Sequence, residues 1–164
     1  MITGTQKAAN VTYRLLRGSL RHKSDEEEKP YSIPHIRAVA DAVRGKKRRR
    51  VGNARVLSNW FGAPYLDSVH VDPEWQGKGI SKELLRRLMD KVDQEFEGQP
   101  VQTRAVPYDN KPLTRKQLMR LYARFGFKPT GKKGIRLPGR DEEGYLAYRT
   151  GTGPGALIRE PKKK

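Results

Sequence analysis

The hydrophobic and polar positions of residues 65–96 change from a two-residue repeat to a helical repeat. Residues 65–71 fall into two alternating sets, Tyr65, Asp67, Val69 and Val71 against Leu66, Ser68 and His70. Such alternation is typical of a β-strand. Pro73 cannot donate a backbone hydrogen bond to a sheet, so the strand is predicted to end before it. After a glycine-containing turn, hydrophobic residues recur at helical spacing at positions 80, 84, 85, 88, 92 and 96.

The remaining pattern predicts further strands and helices on both sides of this unit. Strands are predicted at 11–16, 55–61, 101–106 and 144–149, and the strand at 55–61 is expected to form an antiparallel hairpin with 65–71. Residues 32–43 carry hydrophobic residues at helical spacing and predict a helix. A second helix is predicted to start at Thr114, where the sequence T-R-K-Q has the spacing of a capping box, and to end at Gly126.

These elements predict an α/β (α+β) fold with a mixed, mostly antiparallel sheet flanked by helices. We expect a single domain over residues 1–150, followed by a flexible basic tail over 151–164. Residues 17–30 are strongly charged and predict an exposed connection. His35 is expected to be an exposed structural histidine.

The composition narrows the classes of function. The chain has 164 residues, with 35 Lys and Arg against 18 Asp and Glu, and a formal charge of +17. Such a charge attracts anions, including nucleic acids and acidic proteins. The absence of cysteine excludes disulfides, thiolate catalysis and cysteine-based zinc sites. Because no hydrophobic run has the length of a membrane span or signal sequence, we expect a cytoplasmic protein without a membrane partner, or one of the virion or host cytoplasm if it is viral.

The turn between the strand at 65–71 and the following helix has the features of an anion site. The first N–H groups of a helix lack intrahelical partners, and the helix dipole adds partial positive charge there. Gly77 and Gly79 let the backbone approach a phosphate closely, while Gln76 and Lys78 can donate hydrogen bonds. Ser81 is small and can cap the helix. The alternative is an ordinary turn with solubilising charges, since a lone G-x-G is a weak signal.

The sequence from Val71 to Ile80, V-D-P-E-W-Q-G-K-G-I, resembles the acetyl-coenzyme A signature of the GNAT superfamily of N-acetyltransferases. In that signature, V-x-P leads into Q/R-x-x-G-x-G/A, which binds the coenzyme pyrophosphate. Ser81 stands where the family prefers Gly or Ala. The resemblance implies acetyl-coenzyme A as cofactor and a set of residues that contact it: Val69, Val71, Gln76, Gly77, Lys78, Gly79, Ile80, Ser81, Asn110 and Tyr122.

A second motif, L-Y-A-R-F-G-F at residues 121–127, resembles the family helix that ends in L-Y-x-x-x-G-F. The resemblance implies that the Tyr122 hydroxyl protonates the departing thiolate. Asn110 precedes this tyrosine by more residues than the family asparagine does. A packing role for Tyr122 beside Phe125 is the alternative.

The chemistry of acetyl transfer requires a neutral amine, a donor for the developing oxyanion and a proton acceptor. The resemblance implies that a splayed strand end supplies the donor, for which the Val69 N–H is the candidate. Asp67 has the same strand parity as Val69 and is the first candidate base, ahead of His70 on the other face. Either residue could instead be structural, and no metal site is predicted.

A dense basic run covers Lys46, Lys47, Arg48, Arg49 and Arg50. It could bind phosphates of nucleic acid or the ribose 3′-phosphate of the cofactor, or it could be a solvated loop.

The sequence therefore predicts transfer of an acetyl group from acetyl-coenzyme A to a primary amine. The positive charge disfavours polyamines and histone-like tails, so the amine is expected to belong to a protein, as a lysine or an N-terminus. The alternative is a catalytically inactive protein of the same fold that binds nucleic acid, an acidic protein, or a nucleoprotein or viral assembly through its basic surface.

Overall fold

The computed structural model describes residues 10–22, 31–60, 63–105, 114–130 and 156–161. Within these ranges the chain forms seven β-strands and two α-helices. The strands are β1 (Asn10–His22), β2 (Tyr31–Arg44), β3 (Lys47–Trp60), β4 (Ala63–Val71), β5 (Val101–Arg104), β6 (Phe127–Pro129) and β7 (Ala156–Arg159). The helices are α1 (Ile80–Glu95) and α2 (Arg115–Ala123).

The seven strands form a single sheet in the order β1-β2-β3-β4-β5-β7-β6. Neighbouring strands are antiparallel except β4 and β5, which are parallel. The mixed, mostly antiparallel sheet flanked by helices is therefore confirmed. Neither helix is long and apolar enough to span a bilayer, as far as the described residues go.

Helix α1 covers one face of the sheet. Five of its six buried side chains were predicted from the helical spacing; Met89 is the sixth, and the predicted Phe96 follows the helix and is only partly buried. These side chains pack against residues of β2, β3 and β4 in one hydrophobic core. Gly52 on β3 allows α1 to pack closely, because an added Cβ would lie 3.2 Å from Leu84 Cδ1. Helix α2 begins as predicted, with Thr114 and Gln117 forming a reciprocal capping box.

The predicted helix at 32–43 is wrong, because these residues belong to β2. The strand pairs with β1 on one edge and β3 on the other, and the successive residues Ala38, Val39 and Ala40 are all fully buried, so both of its faces are covered there. Burial on both faces removes the alternation that identifies a strand. Pairing with two neighbours thus decided a segment whose local pattern also fits a helix.

The predicted extent of three other segments is also wrong. β1 continues through His22 into the region expected to be a connection, and Lys47–Arg50 form the start of β3. Residues 156–159 of the predicted tail form β7, which pairs with both β5 and β6 and is buried along its whole length. The predicted strand at 144–149 lies outside the described residues.

Strand β7 also carries an ion pair that joins it to α1. Arg159 donates to both carboxylate oxygens of Asp93, with nitrogen–oxygen distances of 2.6 and 2.8 Å, and to the Phe125 carbonyl oxygen at 2.8 Å. The Arg159 side chain is only 7% exposed. The pair fixes the C-terminal strand against the central helix.

We expect Asp93→Ala to lower the free energy of unfolding by about 3 kcal/mol, because it leaves the buried Arg159 guanidinium without its counter-charge. The matched control is Asp90→Ala on the same helix, whose carboxylate is 55% exposed and pairs with Arg86 at 3.3 Å. That change should cost less than about 1 kcal/mol. Urea unfolding followed by circular dichroism measures both, and equal losses would contradict the structural role of the Arg159 pair.

Candidate active site

The loop between β4 and α1 is held at its start by the neighbouring strands. The Asp72 N–H donates to the Val51 carbonyl oxygen of β3 at 2.8 Å, and a single 3₁₀ turn over Pro73–Trp75 follows. Gln76 Nε2 donates to the Val71 carbonyl oxygen at 3.0 Å, which ties the loop back to the end of β4. Gln76 therefore has a structural role in the loop, and its role as a hydrogen-bond donor to a ligand stays a prediction.

Two glycines shape the part of the loop that enters α1. Gly77 and Gly79 have φ angles of 77° and 78°, in the left-handed region that favours glycine. Apart from the adjacent residues, a Cβ added to either glycine would meet no atom of the described part of the chain within 4 Å, so there is open space at both positions. The glycines are needed for the backbone conformation, and they leave room for a ligand against the main chain.

Gly79 is the N-cap of α1, and the first helical hydrogen bond runs from the Glu83 N–H to the Gly79 carbonyl oxygen at 3.1 Å. The N–H groups of residues 80–82 precede that bond and are the typical anion donors of a helix N-terminus. The Ile80 side chain is 2% exposed and belongs to the core, so this residue can offer a ligand only its backbone. Lys78 Nζ lies 5.9 Å from the centroid of the Trp75 ring.

The pairing between β4 and β5 is short. Only Tyr65 with Gln102 and Leu66 with Thr103 are registered, and the Thr103 hydroxyl donates to the Leu66 carbonyl oxygen at 2.7 Å. From Asp67 onward β4 pairs with β3 alone among the described residues. Val69 and Val71 therefore follow the part of β4 that pairs with β5, and they lead directly into the glycine loop (residues 72–79).

A β-bulge in β4 overturns the predicted shared parity of Asp67 and Val69. Arg55 of β3 is opposite Ser68, while the adjacent Val56 is opposite Leu66, so Asp67 is the extra residue. Val69 is opposite Ala54 and packs against the core under α1. Asp67 instead bonds Arg55 on the opposite face, and His70, opposite Asn53, shares that face.

The Asp67 carboxylate is held by a bidentate ion pair. Arg55 Nε lies 2.9 Å from Asp67 Oδ1, and Arg55 Nη2 lies 2.5 Å from Oδ2. Both carboxylate oxygens of Asp67 are therefore occupied by charge-assisted hydrogen bonds from Arg55. His70 Nε2 lies 3.2 Å from Asp72 Oδ1 at the end of the same strand.

Tyr122 is on the buried side of α2, with 5% exposure. Its ring packs against Phe127, with the centroids 5.7 Å apart and the planes inclined by 52°. Tyr122 therefore packs in the core as the alternative expected, although the ring contact is with Phe127 and the alternative named Phe125. The catalytic role of the hydroxyl stays a prediction, and Asn110 lies outside the described residues.

In the basic run at residues 46–50, two arginines form ion pairs and the other three residues are exposed. Arg50 Nε lies 2.9 Å from the buried Asp41, and Arg49 lies 3.6 Å from Asp72 and 3.5 Å from Glu74 in the glycine loop. Burial alone would raise the pKa of Asp41, but hydrogen bonds from Arg50 and Arg14 outweigh it and lower that pKa. Lys46, Lys47 and Arg48 remain exposed at the tip of the β2–β3 hairpin. Phosphate binding by this run stays a prediction.

Sequence reasoning missed the polar groups of β2 and β3 on the face away from α1. His35 was expected to be exposed, yet it is 8% exposed, because its ring lies over Gly18 of β1. Arg37 and Arg55 are directly opposite each other beside it. Once β2 is recognised as a strand, the i, i+2 spacing of His35 and Arg37 places both on one face, so the signal was present but assigned to a helix.

Comparison with known proteins identifies the family. Residues 35–129, more than half of the chain, match the family model described as acetyltransferase (GNAT) domain. No curated protein matches the sequence significantly.

Solved structures share the fold at low sequence identity. A GNAT-family acetyltransferase from Staphylococcus aureus has a TM-score of 0.52 and 13% identity, covering 78% of this chain and 68% of its own. Escherichia coli ElaA has a TM-score of 0.51 and 16% identity, covering 83% and 75%. Nourseothricin acetyltransferase has a TM-score of 0.51 and 15% identity, covering 93% and 99%. These structures support the fold, and the matched family model shows that the chain belongs to the GNAT acetyltransferases, which use acetyl-coenzyme A as the acyl donor.

Proposed function

We propose that this protein transfers an acetyl group from acetyl-coenzyme A to a primary amine of a protein, either a lysine or an N-terminus. The observation that carries the proposal is the glycine loop at the N-terminus of α1, where a Cβ added at Gly77 or Gly79 would meet open space. A helix N-terminus with an accessible main chain suits a diphosphate, because its N–H groups and dipole both favour negative charge.

The residues of the loop fit the coenzyme. The backbone N–H groups of residues 77–81 and the Lys78 ammonium group would hold the pyrophosphate, and the backbone of β4 at Val69 and Val71 would hold the pantetheine arm. Gln76 would act mainly by fixing the loop, since its amide donates to the Val71 carbonyl oxygen. Bound acetyl-coenzyme A supplies the acetyl group as an activated thioester.

The protein contributes positioning and proton transfer. The Val69 N–H is proposed to donate to the developing oxyanion, and the Tyr122 hydroxyl to protonate the leaving thiolate. An amine with a pKa of about 10 must lose a proton before it attacks. Because Arg55 occupies the Asp67 carboxylate, His70, with Asp72 beside it, is proposed to accept this proton.

Calorimetric titration with acetyl-coenzyme A tests the proposed function. We expect saturable binding to the wild-type protein, about tenfold weaker for Gln76→Ala because the loop loses its hydrogen bond to β4. Gln99→Ala, at an exposed position after α1, is the matched control and should bind like the wild type. Mass spectrometry of peptides incubated with the protein and acetyl-coenzyme A then detects the acetyl group. Absence of binding heat for the wild-type protein would reject the proposal.

A further inference from the structure

Among the described residues, the sheet face away from α1 carries more positive than negative charge near Arg37 and Arg55. Arg37 of β2 and Arg55 of β3 are directly opposite each other, and directly opposed like charges destabilise a sheet unless an anion separates them. Asp67 balances one of the two, because both of its oxygens accept from Arg55. The second arginine, Arg37, has no such carboxylate among the described residues.

Arg37 also has an unused hydrogen-bond donor. Its Nε atom is buried and has no hydrogen-bond partner among the described parts of the chain, although the side chain as a whole is half-buried. A buried donor without a partner is costly, and a bound water, ion or functional partner is one explanation for such a group in a folded protein. The position therefore lacks an anionic hydrogen-bond acceptor.

His35 lies on the same face, two residues before Arg37. It is 8% exposed, and its Nδ1 atom is buried without a partner. Burial, followed by the charges of Arg55 and Arg37, lowers the pKa of His35 despite the opposing charge of Asp67. The imidazole is therefore neutral near pH 7 and can donate or accept one hydrogen bond at Nδ1.

A third buried polar group without a hydrogen-bond partner among the described residues lies on β5, next to β4. Gln102 of β5 is 3% exposed, and its Nε2 atom has no partner among the described residues. Gln102 pairs with Tyr65, in the part of β4 that pairs with β5. Tyr65 pairs with Leu57 of β3, and Leu57 pairs with His35 of β2. Polar groups at His35, Arg37 and Gln102 thus extend along one face from β2 to β5.

We propose that this face binds the amine acceptor and that Arg37 recognises a carboxylate of that acceptor. The inference rests on the proposed acetyltransferase function and specifies its substrate class as an acidic peptide segment. Arg37 is two strands from β4, a distance of about 10 Å at the usual strand spacing. An extended peptide advances about 3.3 Å per residue, so the acidic side chain should lie about three residues from the acetylated amine.

A peptide series tests the inference. Each peptide carries one amine and a single Asp at the second, third, fourth or fifth position from it, and each has an Asn counterpart. We expect kcat/KM to be about tenfold higher for Asp than for Asn at the third or fourth position, because Asn cannot neutralise Arg37. Arg37→Gln should remove this preference and leave acetyl-coenzyme A affinity unchanged. Arg44→Gln, at an exposed position on the same strand, is the charge-matched control and should retain it.

Binding of the same peptides without coenzyme, followed by fluorescence anisotropy, separates this inference from the proposed function. Equal binding of Asp and Asn peptides, or an Arg37→Gln variant that retains the preference, would overturn the acidic-acceptor assignment even if acetyl-coenzyme A binds. An Asp preference without coenzyme binding would support the subsite and reject the acetyltransferase proposal. If thermal unfolding shows that Arg37→Gln is unfolded, Arg37→Lys, which keeps the charge but lacks Nε, should show a reduced preference.

Discussion

Replacing Gly79 with glutamate is expected to weaken acetyl-coenzyme A binding about 100-fold, which corresponds to about 2.7 kcal/mol of binding free energy. Two effects act together. The residue has a φ of 78°, and a side chain in the left-handed region costs about 1–2 kcal/mol. The new carboxylate would also stand in the open space before the N-terminus of α1, where it repels a diphosphate and competes for the same N–H groups.

Gly98→Glu is the control for the same strain and the same charge introduced away from the glycine loop. Gly98 lies beyond the opposite end of α1, has a φ of 76° and also has open space around its Cβ position. The two variants therefore introduce the same side chain at matched backbone conformations. Calorimetric titration should give wild-type affinity for Gly98→Glu, while similar affinities for both variants would show that the loop does not hold the coenzyme.

Tyr122→Phe is expected to lower kcat about 100-fold while the affinity for acetyl-coenzyme A changes little, if the hydroxyl is the general acid. The substitution keeps the aromatic ring, so its contact with Phe127 at 5.7 Å between centroids and the buried position in the core are retained. Loss of a proton donor acts on the leaving of the thiolate and not on coenzyme binding. Steady-state kinetics with titration of the coenzyme measures the two quantities separately.

Tyr13→Phe is the matched control for this substitution. Tyr13 is a partly buried tyrosine of β1 that packs against the core and lies under Arg87, whose guanidinium carbon is 4.9 Å from the ring centroid. Removing this hydroxyl should leave kcat at the wild-type value. Unchanged turnover of Tyr122→Phe would assign Tyr122 a packing role only, and equal losses in both variants would indicate a general effect of hydroxyl removal.

The glycine loop and its flanking elements could be predicted because each depends on neighbours in the sequence. The alternation at 65–71, the break at Pro73 and the helical spacing from Ile80 determine β4, the turn and α1 through contacts within a few residues. The capping box at Thr114 is likewise local, since its two hydrogen bonds join residues three positions apart.

The alternation of residues along β4 could not predict the position of Asp67, because one extra residue in a strand reverses the sheet face of every residue that follows it. The bulge opposite Arg55 and Val56 separates Asp67 from Val69 and brings it to Arg55. Nothing in the alternating pattern of residues 65–71 marks that bulge. It arises from the fit of β4 to β3, and it gives the candidate base a bidentate partner.

The sequence alone determined the strand, glycine turn and helix unit, the second helix and the family, since local periodicity and short motifs encode them. Only the tertiary structure decided that residues 31–44 form a strand, that residues 156–159 enter the sheet, and that Arg37 faces Arg55. The reason is physical. Strand pairing joins residues far apart in the chain, and burial on both faces of a central strand removes the polar alternation by which a strand is recognised.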